Sequence, residues 1–290
     1  MKTPRPDWLD PALYPFAPHY QDVGPGRLHY VDEGDGPPVV MVHGTPSWSF
    51  LYRHLIRDLV GYRCLAPDHL GFGLSDKPLD FPYTPRAHAE NLDTFISALG
   101  LQDIVLVVHD FGGPIGLSYA LEHPENVRAV VVLNSWGWPN ETLARAAKVL
   151  GNPLGRTLYK RFNFSVEVLL RRAGFADQKV LTEEVLRHYR GPFSTPTSRE
   201  PLWRLVDSVG ETNAWLATLW ARREAIADKP ALLVWGRKDK LVPSSFLGRW
   251  QGLFRDAETL ELNAGHFVQE EAADEVGEAV KRFLERLAQP

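Results

Sequence analysis

The chain has 290 residues, 44% of them hydrophobic, and a formal net charge of −4. That balance supports a sizeable core, one domain carrying an insertion, and it excludes a nucleic-acid partner, which would require a basic face. No window approaches the roughly 18 apolar residues of a membrane span, and Cys64, the single cysteine, lies in the apolar stretch RCLAP as a buried, inert thiol without a disulfide partner.

The first residues, MKTPRPDWLDPALYPFAP, are rich in proline and lack the apolar core of a secretory signal. They predict an arm, running to about Gly26, that lies over the surface of a soluble cytoplasmic protein. RLHYVDEG alternates like a strand exposed on one face. PPVVMVHG is a short apolar run that ends in a turn, as buried strands do. LYRHLIRDLV has helical spacing, and YRCLAPD returns to strand. HAENLDTFISAL, His88 to Leu99, reads as an amphipathic helix. DIVLVVHD is a strand, GGPIGLSYALEH a helix and NVRAVVVLN a further strand. From Ser135 to about Arg223 the chain is helical, aromatic and arginine-rich, without a buried strand. The alternation resumes with PALLVWGRKD, a helix near Ser244–Leu253, the strand AETLELN and a final helix from Ala272 to Leu287.

Alternating apolar strands and helices predict an α/β fold, a mostly parallel sheet covered on both faces. Residues 1–134 and 224–290 form the core in this reading, and 135–223 a helical cap. A cap that leaves from the carboxyl ends of strands covers the end of the sheet where ligands bind. The nine tryptophans either fill the core or line an apolar pocket.

Three polar residues stand just beyond strand ends: Asp110, Asp239 and His266. Nucleophile, acid, histidine is the chain order of the α/β-hydrolase triad. HDFGG resembles a nucleophile elbow in which Gly112 and Gly113 let the chain turn into the helix, with Val108 in place of the usual first glycine and Asp110 in place of serine. Each residue alone reads as a turn or a cap; their joint order at strand ends points to catalysis. Ser118, in GLSYA, falls inside a helix as a packing residue, and Ser75 is a turn residue.

HGTPSWSFLYR, DHLGFGLSDKP, VVHDFGGPIG, WGRKDKLVP and AGHFVQEE together resemble the haloalkane dehalogenases, in the order of that family. The resemblance covers the sheet domain and is weakest in the cap. It implies an α/β-hydrolase fold with a helical cap, and hydrolysis of a carbon–halogen bond without cofactor or metal. The chemistry suits an aspartate: ionised at pH 7, it attacks a saturated carbon without prior deprotonation. His266 would then activate water against the resulting ester, with Asp239 holding the imidazole. The backbone N–H groups of Thr45 and Phe111 are the expected oxyanion donors.

The family usually places a halide-binding tryptophan directly after the nucleophile, and its second donor is an asparagine in the HGxP loop or a tryptophan of the cap. Here those two core positions are Phe111 and Thr45, and no tryptophan lies between Leu143 and Leu202. Trp48, Asn134, Trp136, Trp138 and Phe267 are the candidate halide- and substrate-binding residues. Two alternatives use the same nucleophile: epoxide hydrolysis, with Tyr159 and Tyr189 as ring-opening donors, and β-lactone decarboxylase or esterase-type chemistry. A haloacid dehalogenase would carry arginine where Phe111 stands, and a ligand receptor on a hydrolase fold would not need the triad. The expected substrate is small and apolar, and the expected state is a monomer or weak homodimer.

Overall fold

A computed structural model describes residues 5–289; the first four residues of the expected arm and Pro290 lie outside them. The strands are β1 (His19–Asp22), β2 (Arg27–Glu33), β3 (Pro38–Val42), β4 (Arg63–Pro67), β5 (Ile104–Asp110), β6 (Val127–Ser135), β7 (Ala231–Gly236) and β8 (Ala257–Leu262). They form one sheet in the order β1-β2-β4-β3-β5-β6-β7-β8. β1 and β2 pair antiparallel, as do β2 and β4, and the remaining neighbours run parallel. Every residue of β5 (IVLVVHD) and β7 (ALLVWG) is buried, the pattern of parallel strands covered on both faces.

The core helices are α1 (Arg53–Asp58), α2 (Pro85–Ala98) and α3 (Gly112–Glu122). Thr84 caps α2 by accepting from Ala87 N at 3.2 Å, with Pro85 at the first helical position. Between β6 and β7 the chain is helical: α4 (Glu141–Leu150), α5 (Pro153–Phe162), a π-helical segment (Ser165–Gly174), α6 (Glu183–Arg190), α7 (Glu200–Asp207) and α8 (Val209–Ala221). α9 (Leu247–Gln251), α10 (Val268–Glu271) and α11 (Ala273–Leu287) complete the fold.

Two expectations need correction. The proline-rich arm does not simply lie over the surface: Leu9, Tyr14 and Phe16 are buried, Tyr14 Oη is 2.6 Å from Ser49 Oγ, and β1 adds an edge to the sheet. β2 is not open on one face, because Leu28 to Val31 are all buried. Phe95, near the end of α2, packs against Tyr30 at 5.1 Å between ring centroids.

Candidate active site

Asp110 is the last residue of β5, and its backbone sits at φ 52°, the left-handed region that a non-glycine residue occupies at a cost. The strain is held from two sides. Ser135 Oγ, on the neighbouring strand, donates to Asp110 O at 2.5 Å, and Thr45 N donates to Asp110 Oδ1 at 2.9 Å. The glycines of the elbow serve a different purpose from the one the sequence suggested. The residue with positive φ is the aspartate itself, whereas Gly113 provides space, since a Cβ there would strike Ser135 Oγ. Gly44 is required for the same reason: its Cβ would run into Asp110 Oδ1 and lie 2.6 Å from Phe111 N. Thr45 N–H thus holds the carboxylate of Asp110, and Phe111 N lies against the same face of Gly44.

His266 lies in the loop after β8, fully buried. Its Nδ1 is 2.7 Å from Asp239 Oδ2, and its Nε2 is 3.3 Å from Asp110 Oδ2. Asp239 follows β7. Its carboxylate also accepts from Asn134 Nδ2 at 2.7 Å, Leu241 N at 2.7 Å and Val242 N at 2.9 Å. Burial alone would raise the Asp239 pKa, but His266 and the backbone donors outweigh it and hold the carboxyl below its ordinary value. Burial alone would likewise lower His266; the charge of Asp239 and the contact with Asp110 outweigh that and raise it above 6.5. His109 behaves oppositely: burial pushes it down to about 3, so it stays neutral, and its Nε2 lies 2.9 Å from His266 O.

Asp110 opens on an apolar cavity of about 160 Å³, walled by Phe111, Trp136, Leu143, Leu170, Val242 and Phe267 among others. Three polar atoms on residues lining it are buried without a hydrogen-bond partner among the described residues: Thr45 Oγ1, Trp136 Nε1 and Tyr159 Oη. Buried polar groups are rarely left unpaired, and in a cavity such groups await a ligand or water. A more open cleft of about 650 Å³ beside Trp8, Arg161 and Arg199 contains none of the triad.

The α/β-hydrolase fold family matches residues 37–273. Over 281 residues the chain is 40% identical to haloalkane dehalogenase 2 of Mycobacterium tuberculosis, covering 94% of this chain and 97% of that one. The chain belongs to the haloalkane dehalogenase family. It is a hydrolase of that family by fold and by sequence. It is also 35% identical, over 94% of its length and 90% of the relative's, to a cis-3-alkyl-4-alkyloxetan-2-one decarboxylase of Shewanella oneidensis. Among solved structures, the haloalkane dehalogenase DatA from Agrobacterium tumefaciens C58 matches with a TM-score of 0.85 at 28% identity, covering 97% of this chain and all of that one.

Within this dehalogenase frame, the residues expected to hold halide or substrate divide. Trp136 and Phe267 line the cavity. Trp48 does not: its Nε1 donates to His188 O at 2.9 Å, and its ring packs against Trp8, Tyr14 and Phe50. Trp138 packs among Trp220, Phe246 and Trp250, away from the cavity. Asn134 does not line the cavity; its side chain joins Asp239 to Gly236 N, which it meets at 2.9 Å. The two tyrosines also separate. Tyr159 lines the cavity, whereas Tyr189 Oη donates at 2.5 Å to Glu270, itself in a buried ion pair with Arg53. Ser135, which supports the elbow, was not singled out in the sequence. The signal for it was the register of β6 beside β5, which sets Ser135 opposite Asp110.

Proposed function

We propose that the protein cleaves carbon–halogen bonds of small apolar substrates through an alkyl ester of Asp110. The observation that carries this reading is the ionisable Asp110 carboxylate, held by Thr45 N–H and facing His266, at the floor of an apolar cavity. Residues 135–223 act as the cap over a core of 1–134 and 224–290. With Oδ1 held by Thr45, Oδ2 is the oxygen left to attack. It forms a bond to the halogen-bearing carbon as the carbon–halogen bond breaks and halide leaves with the electron pair.

The second step needs His266 as a base. In the resting site two carboxylates raise its proton affinity. Ester formation removes the charge of Asp110, so His266 loses one of its two stabilising neighbours, releases its proton to bulk water and becomes able to take one from the attacking water. Water then adds to the ester carbonyl, whose developing oxyanion meets the N–H groups of Thr45 and Phe111. The proton held on His266 passes to the departing alkoxide, and the regenerated carboxyl group of Asp110 ionises. Trp136 Nε1 and Tyr159 Oη are the donors available to the halide where Phe111 and Thr45 lack the family's usual side chains.

A second reading, β-lactone decarboxylation, is favoured by the 35% identity to the oxetan-2-one decarboxylase. Epoxide opening by paired tyrosines is disfavoured, because Tyr189 is already bonded to Glu270. Burial also pushes Tyr159 well above its ordinary value, which suits it to hydrogen-bond an anion and not to give up its proton. Parallel assays of the wild type with 1-bromobutane, a terminal epoxide and a cis-dialkyl oxetan-2-one test the proposal. Release of bromide is the expected result; decarboxylation of the lactone with no bromide release would replace the first reading by the second.

A further inference from the structure

We propose that Glu271 is a positioning residue for His266, clamping the histidine loop to the turn that follows the π-helical segment of the cap. The inference rests on His266 acting as the base, and extends it to a residue outside the triad. Glu271, the last residue of α10, turns its carboxylate back onto the loop. Oε1 accepts from Gly265 N at 2.8 Å, directly before the histidine. Oε2 accepts from Ala176 N at 2.9 Å and Asp177 N at 2.8 Å, both in the cap. One carboxylate thus satisfies three backbone donors from two parts of the fold, and such charge-assisted bonds are among the stronger ones.

The junction closes from the other side as well. His266 N donates to Gly174 O at 2.7 Å. A Cβ on Gly265 would lie 2.7 Å from each of Ala176 N, Gly174 O and Glu271 Oε1, so the two segments meet with no room to spare. Phe175 stacks on Phe267 at 5.1 Å between ring centroids. With His109 at the carbonyl oxygen and Asp239 at Nδ1, every polar group of His266 except Nε2 is tied down. Glu271 and the cap turn fix the backbone end of that arrangement, and Nε2 is the group that must reach water at the ester.

Glu271→Gln places an amide N–H₂ against backbone N–H groups, and Glu271→Ala removes the acceptor altogether. Attack by Asp110 does not require His266 to be aligned, whereas hydrolysis of the ester does. Single-turnover quench with 1-bromobutane, with intact-protein mass spectrometry of the ester, separates the two steps. Ester hydrolysis is expected to slow about 10- to 100-fold in both variants, while ester formation changes by less than about threefold. No change in either step, or equal slowing of both, would overturn the proposal. A second readout needs no substrate: NMR titration of the His266 imidazole. Loosening from Asp110 lowers its midpoint in Glu271→Gln, and an unchanged titration overturns the positioning role. Absence of bromide release from the wild type would sink the dehalogenase reading and leave the titration to decide Glu271.

Discussion

Asp110, His266 and Asp239 form a charge arrangement in which two carboxylates share one imidazole. His266 gains proton affinity from both, against the opposing effect of its burial. A histidine with a raised folded pKa adds stability that is fully present below its unfolded value and is lost as pH rises through the folded one. Removing the Asp110 charge should mimic the esterified state. In Asp110→Asn, NMR titration should show the His266 midpoint lowered by about 1–3 pH units relative to wild type. An unchanged midpoint would mean that Asp239 alone sets the proton affinity, and the proposed switch between the two steps would fail. The grouping of the three residues was legible in the sequence because each stands at or just beyond a strand end, in the order the chemistry requires. The strained backbone of Asp110 was not, because Gly112 and Gly113 offered an explanation for the turn; they are small to admit the Val42 carbonyl and Ser135 at close range.

At the scale of elements, α5 and α6 each bring a buried tyrosine toward the core, to different surroundings. Tyr159, on α5, reaches the cavity with no partner among the described residues, and Tyr189, on α6, completes the Arg53–Glu270 pair. The helical pattern alone makes the two equivalent, since each side chain is simply on an inward face. Which face meets a cavity and which meets a buried carboxylate depends on Glu270, 81 residues from Tyr189. The same long-range dependence took Trp48 out of the candidate site, its N–H being directed to a carbonyl on α6. Phenylalanine substitutions should separate the roles. Tyr189→Phe should cost about 1–3 kcal/mol in denaturant unfolding by weakening the bonding of a buried carboxylate. Tyr159→Phe should change stability by less than about 0.5 kcal/mol. It should nevertheless slow bromide release about 10-fold or more, as loss of a hydrogen bond to a leaving anion predicts. Bromide release unaffected in Tyr159→Phe would remove that side chain from the leaving-group site.

For the whole molecule, the sheet was readable because β5 and β7 are nearly pure apolar runs, the one ending in Asp110 and the other followed three residues on by Asp239. The arm and β1 were not, because Tyr14 and Phe16, just before β1, are buried by distant partners such as Ser49. The helices between β6 and β7 were recognisable as helices but not as walls, since the cavity is lined jointly by α4, α5, the π-helical segment and the loops after β5, β6 and β7. The central claim spans all of these parts: a carboxylate at the elbow becomes an ester, and a histidine held between the sheet and the cap removes it. His266→Phe, incubated with 1-bromobutane and examined by intact-protein mass spectrometry with peptide mapping, tests this most directly. The account predicts one butyl group retained on Asp110 and released bromide limited to one equivalent. Continued turnover, or bromide release by the wild type while the variant carries no adduct, would contradict it.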